Sequence, residues 1–350
     1  MTGVFEGKRI LITGGTGSLG QALTRRLMTG AEGVPERVTV FSRDEAKQHY
    51  MRLDFMHRDA ATDEVIFENS RQRLRFRIGD VRDYPSLARV VKEADIVFGA
   101  AALKQVPSCE YFPWEACQTN IEGAVNVVRA ISELDLAVET VVGISTDKAC
   151  KPVNVMGMTK AIQERVFIDG NLHHPGTRFI CARYGNVLAS RGSVVPLFLD
   201  QIAAGGPVTI TTADMTRFLL TLDDAVDTII AAVRSADAGD TYIPRCRSAR
   251  MTDLAAELIG DRDIATVITG IRPGEKIHEI LISEEEATRT VDGAEGYFAV
   301  RPMLPELADP VEAPALTGDY GSADNLMSAD ELRDFLRRKI PEALARQPVA

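Results

Sequence analysis

Two short segments near the middle of the chain carry side chains suited to acid–base chemistry. Asp147 and Lys148 are adjacent and offer an acid and a potential base. They follow Val138–Ile144, an apolar run rich in β-branched residues that predicts a buried parallel strand. Lys160 lies on a predicted helix, with Met156 four residues earlier on the same face. Because ligands bind at the carboxyl ends of strands in open α/β sheets, we expect the reactive site here.

A glycine-rich turn near the start of the chain predicts a dinucleotide site. The apolar strand Lys8–Thr13 runs directly into this turn, and an amphipathic helix is predicted from about Ser18 to Met28. Glycine lets the backbone approach a pyrophosphate, and the positive N-terminus of the helix then points at it. The residues expected to contact the cofactor here are Thr13, Gly14, Gly15, Gly17, Ser18, Leu19 and Gly20.

The end of the second predicted strand, Arg37–Phe41, bears on the choice of cofactor. NAD enzymes place an acidic residue near this point to bind the ribose 2′-hydroxyl, but Ser42 is small and neutral. Arg43 supplies a guanidinium suited to a 2′-phosphate, which favours NADP. NAD remains possible, with Asp44 as the ribose ligand and Arg43 a solvated surface residue.

Composition excludes several classes of function. A formal net charge of −10 and a pI near 5.2 argue against a general nucleic-acid binder. The five cysteines are scattered without metal-type spacing, which predicts reduced thiols in a cytoplasmic protein and no metal site. No signal peptide is evident, and the longest apolar stretch, Ile96–Leu103, is shorter than the roughly 18 residues of a membrane span.

The two central segments resemble the extended short-chain dehydrogenases/reductases, whose catalytic residues are Ser or Thr, then Tyr-x-x-x-Lys. Thr146 and Lys160 match this pattern, but Met156 stands where the tyrosine is usual. The string Ser-Thr-Asp-Lys-Ala, followed by Met-Gly-x-Thr-Lys, is similar to bacterial UDP-N-acetylglucosamine 4,6-dehydratases. The resemblance implies a Rossmann-like doubly wound parallel sheet with a smaller, interleaved C-terminal lobe. We expect an NADP-binding domain over 1–185, a substrate lobe over 186–285, and a C-terminal arm and helix over 286–350.

The same resemblance implies further site residues. Asp80 and Val81 would border the adenine, the small residues at 100–102 would line the cofactor, and Lys160 would hold the nicotinamide ribose. The cofactor residues implied in this way are Asp80, Val81, Ala100, Ala101, Ala102 and Lys160. The residues expected to bind the sugar or its diphosphate are Lys104, Asn186, Arg191, Ser193, Arg217, Arg272 and Glu275.

The implied reaction is the 4,6-dehydration of a nucleotide sugar. A 4-ketone would acidify the C5 hydrogen, Lys148 would remove it as base, and Asp147 would protonate the departing C6 hydroxyl. Lys148 must be neutral for this role, and we expect burial, the Lys160 cation and the nicotinamide ring to lower its pKa. Without the tyrosine, an ordered water or Asp147 must take part in C4 oxidation with Thr146.

Three interpretations remain open. The first is a UDP-N-acetylglucosamine 4,6-dehydratase, with or without inversion at C5. The second is a GDP-linked dehydratase or a nucleotide-sugar epimerase, although epimerases of this class normally keep the tyrosine and lack the Asp-Lys pair. The third is a cofactor-binding sensor or scaffold without activity. We also expect a homo-oligomer, either a dimer or a hexamer.

Overall fold

The fold is built from many short strands, most of which lie in one large sheet. A computed structural model describes residues 3–56, 73–188 and 193–340. The strands in these residues are β1 (Arg9–Thr13), β2 (Arg37–Ser42), β3 (Leu74–Ile78), β4 (Ile96–Gly99), β5 (Thr140–Thr146), β6 (Arg178–Tyr184), β7 (Val208–Ile210), β8 (Thr216–Leu219), β9 (Thr241–Pro244), β10 (Arg247–Arg250), β11 (Thr266–Ile268), β12 (Ile280–Ile282), β13 (Thr290–Asp292), β14 (Tyr297–Val300) and β15 (Tyr320–Gly321).

The main sheet has nine strands in the order β13-β14-β9-β6-β5-β4-β1-β2-β3. The seven strands from β9 to β3 pair in parallel, and β14 and β13 extend one edge in antiparallel fashion. Chain order reverses between β1 and β4, since β2 and β3 lie on one side and β5 and β6 on the other. Such a switch point opens a crevice at the carboxyl ends of the strands, where ligands bind in this architecture.

Helices cover both faces of the sheet and form most of a second, smaller lobe. The α-helices in the described residues are α1 (Ser18–Thr29), α2 (Glu45–Met56), α3 (Tyr84–Val91), α4 (Val106–Tyr111), α5 (Pro113–Cys117), α6 (Gly123–Glu133), α7 (Val155–His173), α8 (Val194–Ala203), α9 (Leu222–Ser235), α10 (Met251–Ile259), α11 (Glu284–Ala287) and α12 (Ala329–Lys339). A π-helical turn at Gln118–Glu122 precedes α6, and a 3-10 turn at Asp147–Ala149 follows β5. None of the helices described is long and apolar enough to cross a bilayer.

Strand periodicity divides the core between the two faces of the sheet. In β1, Ile10 and Ile12 pack into one cluster and Leu11 into another, because successive side chains point to opposite faces. In β5, Val142 and Val141 divide in the same way. Both faces are therefore buried, which is why these strands are apolar throughout. The architecture confirms the predicted doubly wound, Rossmann-like parallel sheet.

The smaller lobe has its own apolar cluster, drawn from residues 188–340 and centred on α8, α10 and α12. Two small sheets, β8 with β10 and β7 with β11, lie in this part of the chain. Between them the chain returns to the main sheet, where α9 and β9 pack with the large core. The predicted interleaving of the lobe with the main sheet is therefore present.

Residues 284–320, where weak periodicity predicts an extended arm, contain short strands instead. Within this segment β13 and β14 form a short antiparallel pair that joins the main sheet through β9. Each strand has only three or four residues, too few for an alternating pattern to stand out in the sequence. The helix predicted near the end is α12, whose capping box pairs Ser328 with Glu331.

Candidate active site

The turn between β1 and α1 is closed tightly enough to require glycine. Gly14 has φ +64°, and a Cβ there would lie 2.7 Å from the Cα of Ala101. A Cβ on Gly20 would lie 2.5 Å from the Cα of Gly15, so α1 packs directly on the turn. Gly17 occupies the N-cap position without a side-chain cap. A bare backbone at an uncapped helix N-terminus fits the pyrophosphate of a dinucleotide.

The other residues predicted to contact the cofactor lie beside this turn. The Thr13 hydroxyl donates to the Phe98 carbonyl and accepts from the Ala101 amide, both at 3.3 Å, which ties the ends of β1 and β4 together. Ser18 and Leu19 form the first turn of α1. Of the remaining positions, Val81 is buried after β3, Ala100 is half-buried after β4, and Ala102 is exposed.

Ser42 and Arg43 end β2 at the same edge of the sheet. The Ser42 hydroxyl lies 2.9 Å from the hydroxyl of Thr16, which is a residue of the glycine turn. The Arg43 side chain is 55% exposed, and its Nη1 lies 3.5 Å from Asp80 Oδ2. Burial would raise the pKa of Asp80, but hydrogen bonds from the Arg82 guanidinium and amide outweigh it and lower that pKa. Asp80 is thus held mainly by Arg82, and Arg43 makes only the longer contact with it.

The acid–base pair predicted from the sequence lies where β5 ends. The Thr146 hydroxyl donates to Asp147 Oδ1 at 2.8 Å, and Lys148 Nζ donates to the same oxygen at 3.0 Å. The Asp147 side chain is fully buried, and its Oδ2 has no hydrogen-bond partner among the described residues. One carboxylate oxygen therefore organises the pair, and the other is left for a further group.

A second buried carboxylate, Glu279, completes this cluster and was not predicted. Its Oε1 lies 3.2 Å from Lys148 Nζ and 3.7 Å from Arg217 Nε, while the side chain is only 4% exposed. Its Oε2 has no hydrogen-bond partner among the residues described. The only signal in the sequence was its position three residues after Lys276, at the end of a segment predicted to bind substrate.

Two contacts place the segment that carries Glu279 over the acid–base pair. Asn154, which caps the N-terminus of α7, donates its amide to the Gly274 carbonyl at 2.9 Å. Lys276 Nζ donates to the Cys150 carbonyl at 2.6 Å, directly after the 3-10 turn. The loop before β12 is therefore attached to both ends of the segment between β5 and α7.

The charge state of Lys148 differs from the expectation. Burial would lower its pKa, but the neighbouring carboxylates of Asp147 and Glu279 outweigh burial and raise it. The prediction of a lowered pKa is therefore wrong for this arrangement, because it counted neither the Asp147 carboxylate nor that of Glu279. The two carboxylates therefore favour the protonated, ammonium form of Lys148.

Met156 and Lys160 have separate environments on α7. Met156 is buried in a small apolar cluster with Cys109 and Ala116. Lys160 Nζ donates to the Ile144 carbonyl and to the Gln163 side chain, and burial lowers its pKa to about 8. Lys160 is thus held against the carbonyl of Ile144, near the end of β5.

The predicted substrate residues are only partly brought together. Arg217 lies in the cluster, but its guanidinium donates to three backbone carbonyls, those of 216, 276 and 277. Asn186 Oδ1, Ser193 Oγ and Glu275 Oε2 are buried atoms without a hydrogen-bond partner among the described residues. Lys104 and Arg272 are exposed, and Arg191 lies outside the described residues.

Comparison with known proteins agrees with this fold. Residues 10–301 match the family described as "Polysaccharide biosynthesis protein". A UDP-N-acetylglucosamine 4,6-dehydratase (inverting) of Campylobacter jejuni is 40% identical over 304 residues, covering 86% of this chain and 85% of the relative. A UDP-glucose 4-epimerase of Rickettsia typhi is 41% identical over 303 residues, covering 85% and 84%.

Solved structures give the same architecture. Pen from Bacillus thuringiensis has a TM-score of 0.83 at 32% identity, covering 97% of this chain and 99% of that one. DesIV, a dTDP-glucose 4,6-dehydratase from Streptomyces venezuelae, has a TM-score of 0.66 at 20% identity, covering 94% and 96%, which is a likeness of fold. Fold and site together define an extended short-chain dehydrogenase/reductase. Within that class, the chain belongs to the polysaccharide biosynthesis protein family.

Proposed function

We propose that this protein is a nucleotide-sugar 4,6-dehydratase. Its substrate would be UDP-N-acetylglucosamine and its product a UDP-4-keto-6-deoxy-N-acetylhexosamine for surface polysaccharide or glycan synthesis, with or without inversion at C5. The observation that carries the proposal is the buried cluster of Asp147, Lys148 and Glu279 at the end of β5. Eliminating water across C5 and C6 needs an acid and a base side by side. The identity to the C. jejuni dehydratase supports the substrate.

The proposed cofactor is NADP, which when bound accepts a hydride from C4 of the sugar and returns it to C6. The glycine turn would hold its pyrophosphate, Lys160 its nicotinamide ribose, and Arg43 its 2′-phosphate. The exposed guanidinium of Arg43, next to neutral Ser42 in the chain, supports this choice. NAD is the alternative, and it is the cofactor named for the DesIV structure.

Thr146 and Asp147 together would take the proton of the C4 hydroxyl. Thr146 already donates to Asp147 Oδ1 at 2.8 Å, so it can pass its own proton to Asp147 while accepting one from the sugar. Met156 has no exchangeable proton and lies in an apolar cluster, so it cannot act in this step. The proton removed from the sugar then rests on Asp147.

Elimination would use the same proton. Neutral Lys148 removes the C5 hydrogen as a proton, and the electron pair left behind forms the C5–C6 double bond. Asp147 protonates the C6 hydroxyl, the C6–O bond breaks, and water leaves. Where C5 keeps its configuration, Lys148 returns its proton to the same face of C5 when C6 is reduced. Both side chains then regain their starting protonation states.

Substrate binding would draw on the buried polar atoms of the lobe. Asn186 Oδ1 and Ser193 Oγ lack partners in the described structure, which suits them to the hydroxyl and amide groups of a sugar. Arg217 already donates to backbone carbonyls, so contact with a diphosphate requires it to exchange some of these bonds. Exposed Arg272 requires no such exchange.

The experiment that tests the proposal uses UDP-N-acetylglucosamine deuterated at C4. A dehydratase gives a product deuterated at C6, with no net reduced cofactor, and NMR of the product shows both. Loss of deuterium together with stoichiometric reduced cofactor would refute the proposal in favour of a simple dehydrogenase. GDP-N-acetylglucosamine assayed in parallel tests the GDP-linked alternative.

Epimerisation is the second candidate, because the R. typhi relative at 41% identity is described as a UDP-glucose 4-epimerase. An epimerase would return the hydride to C4 and keep the C6 hydroxyl, so the same product spectrum separates the two reactions. A scaffold or sensor would give no product. The buried acid–base cluster favours dehydration, since epimerisation at C4 breaks no bond at C5 or C6.

We also propose that the protein is a cytoplasmic homo-oligomer, a dimer or a hexamer. Tyr111, Phe112 and Trp114 are exposed around α4 and α5, as are Met158 and Ile162 on α7. Exposed apolar side chains at this density are typical of contact surfaces. All five cysteines are free thiols, which fits a reducing compartment. Sedimentation analysis tests the oligomer, and a purely monomeric protein would contradict it.

A further inference from the structure

Lys148 presents a difficulty for the proposed reaction. It must be neutral to remove the C5 proton, yet Asp147 and Glu279 hold it as an ammonium ion, 3.0 Å and 3.2 Å from their respective oxygens. The side chain is 22% exposed, and a bound sugar would cover what remains open to water. The proton on Lys148 therefore needs an acceptor inside the site.

We propose that Glu279 accepts the proton of Lys148 when substrate binds, and holds it while Lys148 acts as the base at C5. This inference rests on the proposed dehydratase function. In the transfer, an Nζ–H bond of Lys148 breaks and an O–H bond forms on the Glu279 carboxylate, with no change of oxidation state. The proton returns to Lys148 when product leaves.

Geometry favours Glu279 over Asp147 as the acceptor. Asp147 Oδ1 already accepts from Thr146 and Lys148, and this carboxylate must stay ionised to receive the proton from C4. Glu279 has one oxygen beside Lys148, and the other is buried without a hydrogen-bond partner in the described structure. Transfer to Glu279 leaves two neutral groups side by side and keeps Asp147 available.

The neighbouring cations Arg217 and Lys276 also favour deprotonation of Lys148. Arg217 Nε lies 3.7 Å from the same Glu279 oxygen as Lys148, and its charge lowers the pKa of Lys148. Lys276 interacts with Asp147, Lys148 and Glu279 from the loop before β12. In water an amine and a carboxylate differ by about 6 pH units in pKa, which keeps the ion pair charged. When a ligand covers such a pair, both groups lose their contact with water. Burial can shift the pKa of a group by up to 3–5 units in the direction that favours its neutral form.

Glu279 is thus a positioning residue that acts through Lys148, and Glu279→Gln tests it without turnover. NMR titration of isotope-labelled lysine in the cofactor-loaded protein, with Lys148 assigned from Lys148→Arg, gives the midpoint directly. We expect Glu279→Gln to lower that midpoint by about 1–3 pH units, the range for losing one opposite charge. Glu284→Gln, an exposed change on α11 that faces Lys151, is the matched control and should leave it unchanged.

A second measurement follows solvent exchange at C5 of the 4-keto sugar against pH. Internal transfer makes the wild-type rate nearly independent of pH in the neutral range. In Glu279→Gln the proton must go to solvent, so the rate should rise about tenfold per pH unit below the Lys148 midpoint. Glu279→Asp keeps a carboxylate and should restore part of the flat profile, even where glutamine disturbs folding.

The outcomes separate this inference from the function on which it rests. A wild-type protein that exchanges no C5 hydrogen refutes the dehydratase proposal. A Lys148 midpoint unaffected by Glu279→Gln, or one pH slope shared by wild type and variant, refutes the role of Glu279 while leaving dehydration intact. A uniform fall in rate at every pH would indicate a merely structural residue and would also overturn it.

Discussion

Replacing Thr146 by valine removes one hydroxyl from the site and keeps the shape of the side chain. In the structure that hydroxyl donates to Asp147 Oδ1 at 2.8 Å, and Met156, which stands where the tyrosine is usual, has no exchangeable proton and lies in an apolar cluster. General acid–base groups contribute about 10²–10⁴-fold. We therefore expect C4 oxidation to slow by that factor, about 3–5 kcal/mol in the barrier.

The assay scores two steps separately on folded, cofactor-loaded protein. Formation of reduced cofactor in a single turnover reports C4 oxidation, and C5 solvent exchange from the 4-keto sugar reports the Lys148 step. Thr146→Val should slow the first and leave the second near wild type. Thr146→Ser keeps the hydroxyl and is the matched control. It also keeps the acceptor of the weak hydrogen bond that the Lys148 amide donates to the Thr146 hydroxyl at 3.4 Å. Equal losses in the serine and valine variants, or none in valine, would refute the relay.

The remaining predictions concern the cofactor, the methionine and a buried ion cluster. Arg43→Ala should weaken NADP by about 1.5–3 kcal/mol and NAD much less, measured by titration; equal losses would show that Arg43 does not contact the 2′-phosphate. Met156→Ala should retain appreciable turnover, whereas Lys148→Ala should lose about 10²–10⁴-fold in C5 exchange, and the reverse result would exclude the assigned roles. Arg183→Met should destabilise the fold by about 3–5 kcal/mol in denaturant titration, because Glu164 and Glu286 would lose their buried partner. Burial would raise the pKa of Glu286, but the Arg183 guanidinium outweighs burial and lowers that pKa to about 2. The stability that this ion pair contributes is therefore present above about pH 4.5 and is lost as the pH falls toward 2. Wild-type stability that is flat over that range would contradict this prediction.

Local sequence patterns predicted those parts of the candidate site whose residues are close together in the chain. The β1–α1 glycine turn and the Thr146–Lys148 segment each follow one apolar strand, and parallel pairing brings the ends of those strands to one edge. Glu279 could not be found in this way, because it reaches Lys148 only through the loop that Asn154 and Lys276 attach. The error over the pKa of Lys148 has this origin only in part. The expectation counted burial, the Lys160 cation and the nicotinamide ring, but neither the adjacent Asp147 carboxylate nor the distant Glu279 carboxylate.

The segment from Glu279 to Glu286 connects the site to the rest of the molecule at both ends. At one end Glu279 meets Lys148, and its amide donates to Ser322 Oγ at 2.9 Å beside the β12–β15 pair. At the other end Glu286 binds Arg183 on β6.

Arg183 also binds Glu164, which accepts a hydrogen bond from Ser145, the residue before Thr146. The end of β5 is therefore fixed by two carboxylates from one short segment, one acting on Lys148 directly and one through Arg183. Residues 1–185 contain the proposed cofactor contacts and the Asp-Lys pair, but not Glu279, the second carboxylate beside Lys148. A fragment ending there would keep the acid–base pair without the group on which, in our proposal, its base depends.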